Sequence, residues 1–359
     1  MFSPFRHAGS ILLKKRPIHL TFFLTRRCNS KCPFCFYLKN KSDLPDNADE
    51  LSIGEIRKIS RSFGGLLWLA FSGGEIYLRD DIVEIAKTFY RNNRPSIMLF
   101  PTNALLPALI RERTEEVLKD CPKSVIAVKL SLDGLNGKHD SIRNTPGSFD
   151  RVMRTYELLG PLLNDYPHFE LGINTVFCSG NQDEMDSIID FVRGLKNIKT
   201  HTISLIRGEL SDEGFKNIDY MKYLSAIERL EANLKNKKAS LYRFRGSKIK
   251  AAQDILQRRF IHRTMEEQKR LIPCYAGRLN LVLTERGEVY PCEILPHSLG
   301  NIRKHDLDIT KVIGSDKANE VVRAIIDKKC FCTHECYFMT NILFNPLLYP
   351  SLLREYLQI

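Results

Sequence analysis

Long apolar runs are missing from this sequence of 359 residues. No stretch reaches eighteen apolar residues, which excludes an ordinary membrane-spanning helix. The first segment also lacks an unbroken apolar core before a small-residue cleavage site, because His7 and the basic run from Lys14 to Arg16 interrupt it. We therefore expect a cytoplasmic protein with no transmembrane segment.

Basic stretches interleaved with aromatic residues are missing too, although the formal net charge is +12. A positive field attracts nucleic acid, acidic carriers and anionic membranes, but a base-stacking site needs aromatic side chains among its cations. The basic residues spread along the whole chain, and the denser runs have a helical pattern in which charges usually face water. No clear nucleic-acid partner is predicted.

The chain has too few cysteines for a disulfide scaffold, since it contains only ten. Cys121 and Cys178 stand alone and are predicted to be buried packing residues. The others form two groups, and in a reducing compartment such clustering favours metal ligation over disulfides. The first group is Cys28, Cys32 and Cys35, and the second is Cys274, Cys292, Cys330, Cys332 and Cys336.

Short β-rich runs alternate with helical patterns between residues 18 and 207. This alternation predicts an α/β fold of about six βα units with a parallel sheet. The sheet is either open and doubly wound or an incomplete barrel, and both place ligand-binding loops at the C-terminal strand ends. The predicted strands are 18–25, 66–71, 96–101, 125–131, 169–176 and 199–205.

The alternation of strand and helix patterns ends at about residue 208, and two polar helices are predicted beyond it, at 217–235 and 247–269. A hairpin pattern follows around Arg286-Gly287. The apolar last stretch predicts a helix, which either packs against the rest of the protein or lines a hydrophobic substrate entrance. The predicted division is an N-terminal extension (1–17), a core (18–207), a helical linker (208–273), a cysteine-bearing module (274–340) and a C-terminal helix (341–359).

The first cysteine group has the spacing Cys28-x3-Cys32-x2-Cys35 and follows the first predicted strand. A structural zinc site normally has four ligands, whereas a cubane held by three thiolates leaves one iron open. With Phe34 before the last cysteine, the motif resembles the radical S-adenosylmethionine (SAM) superfamily. The resemblance implies a SAM-binding [4Fe–4S] cluster, a partial (β/α)6 TIM barrel, and adenine contacts near Phe34. A zinc knuckle is the alternative.

Small and polar residues follow the later strands. Gly73-Gly74-Glu75 comes after the second strand, and in the radical SAM family this motif binds the methionyl amine. The remaining positions resemble those that contact ribose and methionine, with Arg143 as the candidate for the SAM carboxylate and Arg207 as a second basic candidate or a surface arginine. These positions are Thr102, Asn103, Ser131, Asp133, Arg143, Asn174 and Arg207.

The second cysteine group begins Cys274-x12-Gly287-x4-Cys292 and ends Cys330-x-Cys332-x3-Cys336. It resembles the SPASM and shorter twitch modules, which carry auxiliary iron–sulfur clusters. A full SPASM module has seven cysteines and two clusters. Only five cysteines are present here, so one auxiliary [4Fe–4S] cluster is favoured, with four-ligand zinc as the alternative.

The resemblance implies reductive cleavage of SAM to a 5′-deoxyadenosyl radical that abstracts hydrogen from a small-molecule, lipid or peptide substrate. The auxiliary cluster would aid oxidation or substrate binding, and flavodoxin or ferredoxin would donate electrons. No peptide-binding module is visible at the N-terminus, which disfavours the alternative of a peptide-modifying maturase. A non-catalytic zinc- or nucleic-acid-binding protein is the alternative from another class. No catalytic residue at the substrate is predicted.

Overall fold

The computed structural model describes residues 1–38, 49–327 and 330–359, apart from the side chain of Cys336. Within these residues, six parallel strands alternate with helices as the sequence predicts, with bounds that shift by at most two residues. They are β1 (His19–Thr25), β2 (Trp68–Gly73), β3 (Ile97–Thr102), β4 (Val125–Ser131), β5 (Phe169–Phe177) and β6 (Thr200–Leu205).

These six strands lie side by side in chain order, and each is parallel to its neighbour. A doubly wound sheet would reverse its order at a switch point, whereas a barrel wall runs in one direction. Strand β6 forms one edge of the sheet, so the barrel is incomplete. The predicted partial (β/α)6 barrel is confirmed.

Three short strands extend the sheet on the other side of β1. They are β7 (Asn280–Leu283), β8 (Glu288–Tyr290) and β9 (Gly300–Asn301). β7 pairs with β1 in parallel, and β8 and β9 follow as antiparallel neighbours. The predicted hairpin is present, with Gly287 in the left-handed region at its turn. The sequence indicated a separate module, but its hairpin is hydrogen-bonded to the first barrel strand.

The helices of the barrel region cover the outer face of the sheet. Ser52 and Glu55 form a capping box at the start of the first of them, which explains why it begins at residue 53. They are α1 (Ile53–Ser62), α2 (Ile82–Asn93), α3 (Pro107–Asp120), α4 (Gly137–Arg143), α5 (Ser148–Leu159), α6 (Leu162–Asp165) and α7 (Met185–Gly194).

The remaining helices belong to the predicted linker, the cysteine module and the C-terminus. The first begins three residues later than predicted, because the Asp219 side chain accepts from the backbone N–H groups of Met221 and Lys222. They are α8 (Tyr220–Lys235), α9 (Ser247–Glu267), α10 (Ile309–Ile313), α11 (Asp316–Asp327), α12 (Glu335–Leu343) and α13 (Tyr349–Gln358). Helix α12 runs across the predicted boundary at residue 340.

The two faces of the barrel sheet differ in character. On the outer face, large side chains such as Phe22, Phe71 and Phe100 are fully buried against the helices. Side chains alternate between the faces of a strand, and the inner face lines a cavity that α9 and α12 also border. Cys121 and Cys178 are fully buried, as predicted. Among the described residues, no helix is both long enough and apolar enough to span a membrane.

Gly73 and Gly74 allow the end of β2 to touch the loop that leads from β1 to Cys28. The Gly74 N–H donates to the Thr25 carbonyl at 2.7 Å, and the Glu75 N–H donates to the Arg27 carbonyl at 2.8 Å. A Cβ on Gly74 would lie 2.0 Å from the Arg27 oxygen. These glycines therefore pack against the polypeptide that carries the cysteines, and they also line the barrel cavity described below.

The Gly74→Ala substitution is expected to destabilise the protein by about 2 kcal/mol or more and to reduce iron loading, because the new methyl group must push the Cys28 loop away. Gly54→Ala in α1 is the matched control, since its Cβ would have no neighbour closer than 3.9 Å. Denaturant midpoints and iron content measure both effects. Equal stability and equal iron content for the two variants would contradict this account.

Candidate active site

A cavity of about 390 Å³ occupies the interior of the barrel. Its upper end lies at the C-terminal strand ends, where parallel-sheet proteins usually bind ligands. Asp133 is fully buried and does not line this cavity. The predicted residues that do line it are Cys28, Cys32, Phe34, Cys35, Gly73, Gly74, Glu75, Thr102, Asn103, Ser131, Arg143, Asn174 and Arg207.

Three free thiols line this upper end. Each has a donor beside its sulfur: Asn103 Nδ2 lies 3.7 Å from Cys28 Sγ, Ser30 Oγ lies 3.1 Å from Cys32 Sγ, and the Leu38 N–H donates to Cys35 Sγ at 3.4 Å. Burial, then the nearby Glu75 carboxylate and the other two thiols, raise the pKa of Cys28 to about 11. A raised pKa means that ionising the buried thiol costs free energy. Metal binding offsets this cost, because it stabilises thiolates. The donor set therefore fits an iron–sulfur cluster.

Glu75 is a fully buried carboxylate beside the thiols. It accepts hydrogen bonds from Thr102 Oγ1 at 2.9 Å and from the Asn103 N–H at 2.8 Å. Burial raises its pKa to about 7 despite these hydrogen bonds. Burial makes the ionised form of this carboxylate costly in free energy, and a nearby cation stabilises that form. Its position on the cavity wall is suited to an ammonium group.

Arg143 is held in place by Asp133. Its Nε lies 2.7 Å from Asp133 Oδ2, while Asp133 Oδ1 accepts from the Val176 N–H at 2.7 Å. The guanidinium also lies 5.9 Å from the centre of the Phe34 ring, within reach of a cation–π interaction. Asp133 thus positions an arginine that borders the cavity. At a neighbouring strand end, Asn174 Oδ1 accepts from Ser204 Oγ at 3.0 Å.

The second cysteine group surrounds a separate cavity of about 50 Å³. Burial and the neighbouring thiols raise the pKa of Cys292 to about 11 and that of Cys332 to about 12. Arg270 Nη2 lies 3.0 Å from Cys330 Sγ, and the Leu295 N–H donates to Cys292 Sγ at 3.4 Å. Four free thiols on one cavity fit one cluster. They are Cys274, Cys292, Cys330 and Cys332; the predicted ligand side chain of Cys336 lies outside the described part.

Arg207 lies between the two groups of thiols. Its guanidinium lies 3.3 Å from Glu293 Oε2 and 3.3 Å from Glu335 Oε2, and 5.1 Å from the centre of the Phe36 ring. His334 Nε2 lies 2.6 Å from the same Glu293 oxygen. Arg207 therefore connects the end of β6 to both cysteine segments of the C-terminal module. The sequence analysis predicted a site role for Arg207 but missed Glu293 and Glu335. The only sequence feature that could have indicated these two glutamates is that each is next to a cysteine.

Charged residues in the lower half of the cavity were also missed by the sequence analysis. Lys129 and Glu170 come from β4 and β5, while Lys250, Asp254 and Arg258 come from α9. Lys129 and Glu170 interrupt strands that are otherwise largely apolar, which is a detectable signal. The residues of α9 were interpreted as part of a linker, because sequence pattern alone did not show which surface that helix covers.

Comparison with known proteins identifies families that match the two regions of the chain carrying these thiol groups. The model of the radical SAM superfamily matches residues 22–192, and that of the iron–sulfur cluster-binding SPASM domain matches residues 274–337. The antilisterial bacteriocin subtilosin biosynthesis protein AlbA of Bacillus subtilis is 28% identical over 80% of this chain and 57% of its own length. The AdoMet-dependent heme synthase of Methanosarcina barkeri is 26% identical over 82% of each chain.

Among solved structures, Streptococcus suis SuiB bound to S-adenosylmethionine superimposes with a TM-score of 0.59 at 17% identity, covering 89% of this chain and 71% of SuiB. At this identity the likeness concerns the fold. The two family models together match more than half of the sequence. A radical SAM domain implies a [4Fe–4S] cluster and SAM, and a SPASM domain implies auxiliary iron–sulfur clusters. The chain belongs to the radical SAM superfamily and carries a C-terminal SPASM-type domain.

Proposed function

We propose that this protein is an enzyme that cleaves SAM reductively and abstracts hydrogen from a substrate held inside the barrel, with an auxiliary cluster assisting the oxidation. The observation that carries the proposal is the single cavity that touches the three-thiol group and also Glu293 and Glu335 beside the second thiol group. When bound, the first cluster and SAM supply a 5′-deoxyadenosyl radical, and the protein supplies orientation and exclusion of water.

The upper cavity residues take distinct roles in this proposal. Cys28, Cys32 and Cys35 hold the first cluster and leave one iron open for SAM. Glu75 receives the SAM ammonium and Arg143 its carboxylate, since charge-assisted hydrogen bonds are the strong ones. Asp133 keeps Arg143 in position. The adenine, ribose and methionine portions contact Phe34, Gly73, Gly74, Thr102, Asn103, Ser131 and Asn174.

The second group of thiols holds one auxiliary cluster in the proposal, through Cys274, Cys292, Cys330 and Cys332. Arg207 positions that cluster's protein segment against the barrel through its ion pairs with Glu293 and Glu335. A protein of this chemistry needs a one-electron donor such as flavodoxin or ferredoxin. It also needs a reducing compartment such as the cytoplasm, where thiols stay available as ligands.

A peptide is the proposed substrate class. Its support is the similarity to AlbA, which covers most of this chain. The chain spans only 57% of the length of AlbA. A tetrapyrrole-type small molecule is the second candidate. It is favoured by the heme synthase, whose match covers 82% of both chains.

The substrate is tested by anaerobic assays of the cluster-loaded protein with SAM and dithionite. Candidate precursor peptides encoded beside the gene form one arm, and iron coproporphyrin III forms the other. The proposal expects a peptide to raise 5′-deoxyadenosine formation at least several-fold and to change mass. A response to the porphyrin alone would establish the second candidate. Protein that binds zinc without iron and never cleaves SAM would refute both.

Cysteine substitutions are expected to separate the two clusters. Cys28→Ala should lose about four of about eight irons and all SAM cleavage, whereas Cys292→Ala should lose a similar amount of iron but still cleave SAM without forming product. Cys121→Ala, at a buried cysteine remote from both groups, is the control and should behave as wild type. Full product formation by Cys292→Ala would remove the auxiliary cluster from the reaction.

SAM binding is expected to depend on pH through Glu75. Burial raises its pKa to about 7, so the carboxylate is protonated at pH 6 and largely ionised at pH 7.5. Only the ionised form pairs with an ammonium, and the SAM affinity should therefore rise about tenfold over this interval. Anaerobic equilibrium dialysis of the cluster-loaded protein measures the affinity at each pH.

The matched variants isolate this carboxylate. Glu75→Gln should bind SAM about tenfold or more weakly at pH 7.5, with no rise between pH 6 and 7.5. Glu157→Gln, on an exposed face of α5, should retain the wild-type profile. The assignment is wrong if Glu75→Gln keeps the same pH dependence as wild type.

A further inference from the structure

The barrel cavity continues below the level of the predicted SAM contacts. Strand residues near the N-terminal ends, such as Trp68, Val125 and Glu170, line its lower part. Glu170 lies four residues before Asn174 on β5, which is roughly 13 Å along the strand. The lower part is therefore a distinct compartment beneath the SAM end, and the SAM contacts proposed above do not reach its floor.

Lys129 enters this compartment from β4, two residues before Ser131. Its ammonium donates to the Thr200 hydroxyl and lies 3.4 Å from Thr202 Oγ1. Gly172, its neighbour on β5, makes room for it, because a Cβ there would lie 2.5 Å from Lys129 Nζ. Among the described residues, no carboxylate lies within ion-pair distance of this ammonium. Burial lowers the pKa of Lys129 to about 7, which shows how costly its charge is.

Arg258 faces the same compartment from α9. Its Nη1 is buried and has no hydrogen-bond partner among the described residues. The nearest acid on the helix, Asp254, is already engaged, since it accepts from Tyr242 Oη at 2.7 Å and from Lys250. Among the residues that the structure describes, neither Lys129 nor Arg258 therefore has an ion-pair partner in this compartment.

Glu170 is the acidic residue on the floor of the compartment. It is 3% exposed, its Oε1 accepts from the Arg243 N–H, and its Oε2 has no partner in the described structure. A buried polar atom without a partner costs free energy. Glu170 therefore marks a place for a hydrogen-bond donor, while Lys129 and Arg258 mark a place for an anion.

We infer that the lower cavity is a carboxylate-binding subsite, in which Lys129 and Arg258 bind a carboxylate of the substrate and Glu170 accepts from a donor on the same molecule. This inference rests on the proposed function and specifies its substrate class. Lys129 lies two residues, roughly 7 Å along β4, below Ser131. The subsite would therefore hold a substrate whose reacting carbon lies a few bonds from its carboxylate.

A carboxylate can come from an acidic peptide or from a small acid such as a porphyrin, and two probe pairs distinguish these sources. One pair is a capped alanine peptide containing one glutamate and the same peptide containing glutamine. The other is coproporphyrin III and its tetra-amide. Each is titrated calorimetrically into the cluster-loaded protein with SAM under anaerobic conditions. At least one acid is expected to bind about tenfold more tightly than its amide.

Substitutions test which residues recognise the carboxylate charge of the probes. Lys129→Gln and Arg258→Gln should each abolish most of the preference for the acid, while Lys129→Arg should retain part of it. Lys123→Gln, at an exposed lysine, is the matched control and should bind as wild type. The denaturation midpoint and iron content of Lys129→Gln, compared with those of the wild type, show whether this variant is folded and loaded with its clusters.

Two results overturn the inference: no acid is preferred over its amide by wild type, or the preference survives in both glutamine variants. Failure of the proposed function has a different signature. Wild-type protein would then not cleave SAM under dithionite at all, whatever its binding of the probes. The probe pair that shows the preference identifies the source of the carboxylate.

Discussion

The pairing of β1 with β2 on one side and β7 on the other determines the whole arrangement. Phe22 of β1 lies opposite Phe71 of β2 and Leu283 of β7. β1 leads directly into the loop of Cys28, and β2 leads into the glycines that contact this loop. β7 lies between Cys274 and Cys292 in the chain. One strand therefore fixes the first thiol group, its SAM-binding neighbour and the auxiliary thiol group relative to one another.

The distribution of charge in the cavity follows from this arrangement. Glu75 and Arg143 lie at the upper end, and Arg207, Glu293 and Glu335 connect the barrel to the SPASM-type domain. Lys129, Glu170 and Arg258 occupy the lower end. Buried charges are costly unless paired. Arg143 and Arg207 form ion pairs, and Glu75 accepts hydrogen bonds. In the described parts of the chain, Lys129 and Arg258 have no ion pair, and we therefore expect the substrate carboxylate to bind at the lower end.

Sequence reasoning was most successful where chemistry is local. The cysteine spacing, the Gly73-Gly74-Glu75 motif and the period of the strands each depend on a few neighbouring residues, and the structure brings these motifs to one cavity. It was less successful where a property depends on distant partners. The pairing of β7 with β1, the role of Asp133 behind Arg143, and the entry of α9 into the cavity wall all arise from contacts between segments far apart in the chain.

Electron paramagnetic resonance of the dithionite-reduced, cluster-loaded protein, recorded with and without SAM, tests the central claim most directly. The account assigns an open iron to the cluster at Cys28, Cys32 and Cys35 and full thiolate ligation to the auxiliary cluster. It predicts two [4Fe–4S]⁺ signals, of which SAM changes one and leaves the other unaltered. The account would be contradicted by two signals that both stay unchanged when SAM is added. It would also be contradicted by a protein that contains zinc and shows no iron–sulfur signal.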